Sequence, residues 1–185
     1  MDIGAENYCC FLSGDNNGLV EIIRDYKDGL ILYLRGFTAD ILQAEELTED
    51  TFVKLVTKRP RFNQKSSFKT WLYAIGRNVA LDHIKQKSRF CEISYDDCQE
   101  LAAEQASLES AYIREERAVL LHRSMCRLKP EYRQVLWLSY FEGFNNREIA
   151  MIMKRSVHSV ETLVWRAKLA LRKLLDEEGF TYEEL

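Results

Sequence analysis

Apolar residues recur three and four positions apart through most of this chain and nowhere alternate over a strand-length window, which commits the backbone to helices. Pro60 and Pro130 are its only prolines, and Gly, Val and Thr never gather into strand patterns. The expectation is an all-α protein: two small helical domains joined by a linker, the C-terminal one containing a helix-turn-helix.

Local punctuation places the helices. A first block runs from about Asn16 to Arg35, with Leu19, Ile22, Ile23, Tyr26, Leu30, Tyr33 and Leu34 at helical spacing, and stops near Gly36. A second begins around Thr38 to Asp40 and takes Ile41, Leu42, Phe52, Val53 and Val56 as its buried stripe. It must end before Pro60, which biases Arg59 away from helix. Beyond the turn-forming "RPRFNQKS", Ser66 or Ser67 caps a helix with Phe68, Leu72, Ile75 and Val79 that continues to about Lys87.

The stretch that follows is acidic and aperiodic. It divides the chain into a domain at 1–88, a linker at 89–107 and a domain at 108–185 that ends in an acidic tail. In the second domain a helix is expected around Leu108 to Leu128. Pro130 opens the next at the first-turn position proline tolerates, and Gly143 closes it. Asn145 followed three residues later by Glu148 is a capping-box pattern that starts "REIAMIM", and the last helix begins near Ser156.

The net charge of −3 conceals segregation. Residues 59–89 hold eight basic side chains and one acidic, and residues 128–175 hold nine and four. Residues 90–116 between them hold one basic and eight acidic, and residues 176–185 hold five acids and no base. Local field rather than total charge draws phosphates, so two basic islands flanked by acids suggest two surfaces for a polyanion. No apolar run approaches the roughly 18 residues of a membrane span, and "MDIGAENYCCFL" has acids where a secretory signal carries lysines. A soluble, cytoplasmic protein without membrane insertion is expected. Cys9, Cys10, Cys91, Cys98 and Cys126 form no C-x-x-C pair and fit buried or incidental thiols in a reducing compartment.

The C-terminal pattern of a short "EIA" helix, a polar turn and a longer helix is the outline of a helix-turn-helix, whose second helix lies in the DNA major groove. At 100° per residue, Val160, Val164, Ala167, Leu171 and Leu174 form the packing seam of that helix. Trp165 falls on the other side, with Thr162, Arg166, Leu169, Arg172 and Lys173.

"LKPEYRQVLWLSYFEGFNNREIAMIMKRSVHSVETLVWRAKLALRKLL" closely resembles the promoter-reading C-terminal domain of bacterial sigma factors of the compact extracytoplasmic-function (ECF) group. "QAEELTEDTFVKLV" resembles that family's polymerase-binding helix, and "RFNQKSSFKTWLYAIGRNVALDHIKQKSR" its segment for recognising and melting the upstream edge of the transcription bubble. The three motifs follow the family order over nearly the whole chain. The resemblance implies a protein that makes no covalent bonds and takes no cofactor or metal. Its partners would be core RNA polymerase, promoter DNA and an anti-sigma factor of the kind such proteins often have.

The resemblance also assigns residues. Glu45, Glu46, Glu49 and Asp50 would pair with a basic coiled coil on the polymerase. Arg61, Phe62, Asn63, Gln64, Lys65 and Ser66 would form a loop that captures an unpaired minus-ten base, Asn78 would line its pocket, and Lys69, Arg77 and Lys85 would follow phosphates. His158, Ser159, Glu161, Thr162, Trp165, Arg166, Lys168 and Arg172 would meet the minus-thirty-five duplex, with Arg166 the best base reader. Glu161 and Leu163 depart from the pattern, standing where relatives usually carry cations, so the preferred promoter sequence does not transfer from a relative.

Two other readings compete. A stand-alone helix-turn-helix regulator would leave the first domain unexplained and usually dimerises, yet this chain has no evident coiled-coil seam. A DNA-modifying enzyme would need clustered ligands, but His83, His122 and His158 lie far apart with no metal-ligand spacing.

Overall fold

The computed structural model describes residues 2–38, 40–90 and 120–178, the side chains of 88–90 excepted. It is all-α, with two helical clusters. The expected linker lies almost wholly outside the described residues, as do most of the expected Leu108–Leu128 helix and residues 179–185 of the acidic tail.

The N-terminal cluster contains α1 (Ile3–Leu12), α2 (Asn16–Leu34), α3 (Ile41–Lys58) and α4 (Phe68–Phe90). The sequence reading had no counterpart for α1. Asp2 starts this helix by accepting from the Ala5 amide through Oδ1, while its Oδ2 accepts from the Phe68 amide at the start of α4. One carboxylate therefore caps two helices, where the helix dipole also favours negative charge. Ser67 supplies a second cap to α4 by accepting from the Thr70 amide. Asp40 caps α3, which ends at Arg59 in a left-handed conformation just ahead of Pro60.

The core of this cluster sets Ile22, Leu30 and Leu34 of α2 against Leu47 and Leu55 of α3 and Phe68 and Leu72 of α4. The stripe expected for α3 is corrected. Ala44, Leu47, Thr48, Thr51, Phe52 and Leu55 are buried, whereas Leu42, Val53 and Val56 are exposed. Thr48 and Thr51 tolerate burial because each hydroxyl donates to the carbonyl four residues back.

The C-terminal cluster contains α5 (residues 120–127), α6 (Pro130–Leu136), α7 (Asn146–Met153) and α8 (Val157–Glu177). Helix α6 was expected to stay regular to Gly143. Instead its last turn, Trp137–Phe141, widens to a π-helix in which the Trp137 and Phe141 rings stack at 4.3 Å. Gly143 ends the segment at φ 71°, a left-handed turn that costs glycine little. The capping box forms as expected: Asn145 Oδ1 accepts from the Glu148 amide, and Glu148 Oε2 accepts from the Asn145 amide. Lys154, left-handed at φ 53°, reverses the chain into Ser156, which caps α8.

The two clusters meet. Helix α7 packs on α4, and Tyr73 of α4 stands edge-on to Phe144 at 5.1 Å, so one apolar core runs from Tyr8 through to Ala167. Between the end of α2 and α5–α6 lies a cavity of about 370 Å³ walled by Leu32, Tyr33, Leu121, Met125, Trp137 and Phe141.

Candidate nucleic-acid interface

The loop between α3 and α4 is held at both ends by aromatic packing. Tyr8 donates its hydroxyl to the Pro60 carbonyl at 2.8 Å, and the Arg59 guanidinium lies over the Phe11 ring. Phe62 turns inward against Phe68 and Trp71 at 5.8 and 5.2 Å, which makes it an anchor for the loop as well as a member of it. Gln64 is left-handed at φ 56°, and the neighbouring Asn63 accepts from the Lys65 amide in a side-chain turn. Arg61, Asn63, Gln64 and Lys65 consequently face solvent, with Ser66 half-buried behind them. Helix α1 is thus the buttress of this loop.

Along α4 the cations differ. Lys85 is exposed, Asn78 is half-buried, and Arg77 is half-buried with Nε fully enclosed and unbonded. That guanidinium partly offsets the burial that raises the Tyr33 hydroxyl far above its ordinary pKa. Lys69 is half-buried and turned toward the C-terminal cluster. Its ammonium bonds the Glu142 carboxylate at 2.9 Å and the Glu142 carbonyl at 3.0 Å, and sits 4.9 Å over the Phe144 ring.

Helix α8 presents a different surface. Val160, Leu163 and Ala167 are buried, while Val164, Leu171 and Leu174 pack half-buried against the core. The sequence reading counted Leu163 as a missing cation on the DNA side; it is a core residue, so that departure removes nothing from the outer face. His158, Glu161, Trp165, Arg166, Lys168 and Arg172 are exposed, with Ser159 and Thr162 intermediate. Thr162 spends its proton on the His158 carbonyl, and Lys168 covers the Tyr140 ring at 5.1 Å. Trp165 is 63 % exposed and Leu169 57 %, a cost in apolar hydration that a covering surface would recover.

The third group lies on α3. At 100° per residue, Glu45, Glu46, Glu49, Val53 and Val56 all fall within about 60° of Leu42, with Asp50 just beyond. All seven side chains are exposed. The acids were anticipated and the apolar members were misread as core, although the same helical wheel places them together. An outward face mixing apolar anchors with same-sign charge has the anatomy of a protein–protein contact.

Among the described residues no group of three or more His, Cys, Asp or Glu is placed to hold a metal ion, and no helix is long and apolar enough to cross a membrane.

Comparison with known proteins agrees with this geometry. Residues 22–90 match the family model for sigma-70 region 2, and residues 118–171 match that for sigma-70 region 4. The RNA polymerase sigma-H factor of Pseudomonas aeruginosa is 26% identical over 170 residues, covering 88% of each chain. The ECF sigma factor SigW of Bacillus subtilis is 25% identical over 88% of this chain and 91% of its own. The sigma factor YlaC of the same organism is 29% identical over 85% and 91%. Two solved structures share the fold. CnrH in complex with the cytosolic domain of CnrY has a TM-score of 0.63 at 22% identity, covering 95% of this chain and 96% of that one. RpoE in complex with the anti-sigma factor NepR, from Bartonella quintana, has a TM-score of 0.70 at 21% identity over 84% and 95%. With both sigma regions matched in order and ECF factors matched along most of its length, this chain belongs to the ECF subfamily of the sigma-70 superfamily, a family of non-enzymatic transcription initiation factors.

Proposed function

We propose that the chain binds core RNA polymerase through the outward face of α3 and directs it to promoters with two separate DNA-reading surfaces. The loop 61–66, with Lys69, Arg77, Asn78 and Lys85 on α4, takes the minus-ten element as it unpairs; backbone charge and base contacts hold the single strand. The N-terminal half of α8 reads the minus-thirty-five duplex. The observation that carries this reading is the coexistence in one chain of a helix-turn-helix with an exposed tryptophan and arginine and a second, distinct cationic loop and helix. A regulator working alone has no use for the latter.

On α8, Arg166 donates two bonds to a guanine edge, a contact worth about 1–3 kcal/mol in discrimination. Trp165 presses on a thymine methyl or the sugar backbone. Glu161 accepts from a cytosine amino group, the base-edge donor that suits a carboxylate. By likeness to the solved complex of the sigma factor RpoE with the anti-sigma factor NepR, a protein of that kind holds this chain in reserve.

Run-off transcription with purified core polymerase tests the proposal. Arg166→Ala should lower promoter-specific initiation roughly 5- to 150-fold, the factor equivalent to about 1–3 kcal/mol, while leaving core binding intact. Normal initiation by this variant across templates and salt concentrations would refute the assignment.

A further inference from the structure

Three basic side chains gather at the cavity between the end of α2 and α5–α6, and no acid answers them. Arg35, which ends α2, donates from Nη1 to Nε2 of His122 on α5 at 3.1 Å. Arg133 of α6 is fixed through Nη2, which donates to the Cys126 and Leu128 carbonyls at 3.2 and 3.4 Å. All three line the cavity, and among its described lining residues there is no Asp or Glu. Neither guanidinium pairs with a carboxylate of any described residue. Burial, and after it the charges of Arg35 and Arg133, lower the His122 pKa, so both guanidiniums act on the same spot.

An idle amide completes the polar set. Gln134 lines the same cavity with only 5% of its surface exposed, and its side chain makes no hydrogen bond to another described residue. A buried amide left without partners is costly, and its N–H is a donor with no acceptor.

The remaining walls are apolar. Helix α2 contributes Leu32 and Tyr33, α5 contributes Leu121 and Met125, and the π-helical turn contributes Trp137 and Phe141. A volume of about 370 Å³ lies within the roughly 300–1,000 Å³ of small-molecule sites. It is more than twice the approximately 150 Å³ that suffices for a benzene ring. Leu32 and Phe141 keep 43% and 53% of their exposure, which leaves a way in. A free phosphate would leave these walls uncovered, and a neutral hydrocarbon would leave the cations unanswered. A carboxylate on an apolar body satisfies both, because the planar guanidinium fork matches its two oxygens.

We propose that this cavity binds an apolar monocarboxylate of the size of a medium-chain fatty acid, its head among Arg35, Arg133 and Gln134 and its body against the apolar walls. The proposal goes beyond the promoter-reading function and does not depend on it.

The test is isothermal titration calorimetry of the full-length chain with decanoate and, as its uncharged counterpart, 1-decanol. Two substitutions address the head: Arg35→Gln removes a charge, and Gln134→Leu replaces the idle amide with an apolar group of similar size. Circular dichroism confirms that each variant is folded. Wild type should bind decanoate saturably at one site and more tightly than 1-decanol. Each variant should lose about tenfold or more in decanoate affinity, as for one charge-assisted hydrogen bond, with 1-decanol affinity unchanged. Absence of saturable decanoate binding by wild type overturns the proposal. So does 1-decanol binding as tightly as decanoate, or undiminished decanoate binding in either folded variant. If one variant loses helicity, the other decides. Promoter-dependent transcription by wild type is a separate readout, and its failure leaves the cavity's ligand untouched.

Discussion

The two basic surfaces are alike in composition and opposite in availability. On α8, Arg166, Trp165 and His158 stand out from a seam formed by Val160, Leu163 and Ala167, and among the described residues no other helix covers them. On α4, the most N-terminal cation is consumed by Glu142, and the enclosed Nε of Arg77 lies close to the core. Charge counted along a sequence does not distinguish these cases. On the proposed assignment, the surface for duplex DNA would be open as folded, whereas the one for unpaired bases shares part of its charge with intramolecular partners.

The largest effect expected to sharpen this contrast is on stability. Leu163→Ala, in the seam of α8, should cost about 2–5 kcal/mol as a buried leucine truncation, measured by urea denaturation, whereas Leu169→Ala two turns along the exposed face should cost under about 0.5 kcal/mol. Equal costs would mean that the two sides of α8 are misassigned. Next, Asp2→Ala removes caps from both α1 and α4 and should lose about 1–2 kcal/mol, read as a lower urea midpoint. An unchanged midpoint would show that α1 does not buttress the loop between α3 and α4.

A smaller functional difference separates the two surfaces. Asn78→Ala should slow promoter opening, followed by permanganate reactivity of unpaired thymines, more than it weakens the closed complex; Arg166→Ala should do the reverse. The smallest effect is a pH response where α2 meets α5. Burial, then Arg35 and Arg133, lowers the His122 pKa below its ordinary 6.5. Cys126 lies on the same ring, 3.8 Å from Nδ1, and Arg35 is 3.1 Å from Nε2. A histidine with a depressed folded pKa contributes stability that is present above about pH 6.5 and is lost as pH falls below it. Thermal midpoints should therefore drop slightly from pH 7.5 to pH 5.5, and His122→Gln should flatten that part of the profile.

Features fixed by local chemistry were legible in the sequence. Asp40, Pro60, Pro130, Gly143 and the Asn145–Glu148 box each set a helix boundary through atoms a few residues apart, and each does so in the structure. What escaped depends on distant partners. Helix α1 has a modest apolar face, and its capping carboxylate finds its second amide 66 residues away. Leu42, Val53 and Val56 are apolar yet exposed, so periodicity alone assigned them to the core. The reverse error befell Leu163, judged by what stands at its position in relatives when the packing of α6 and α8 decides its side. Glu142 and Glu148 carried no sequence signal beyond helix termination and capping, because Lys69 and Thr70 lie more than 70 residues away.

Transcription from a randomised promoter library by core polymerase with and without this chain tests the central claim most directly. The account predicts a narrow set of start sites that appears only with the chain present, shares one upstream duplex motif and fades with Arg166→Ala. The same start sites in its absence would contradict it.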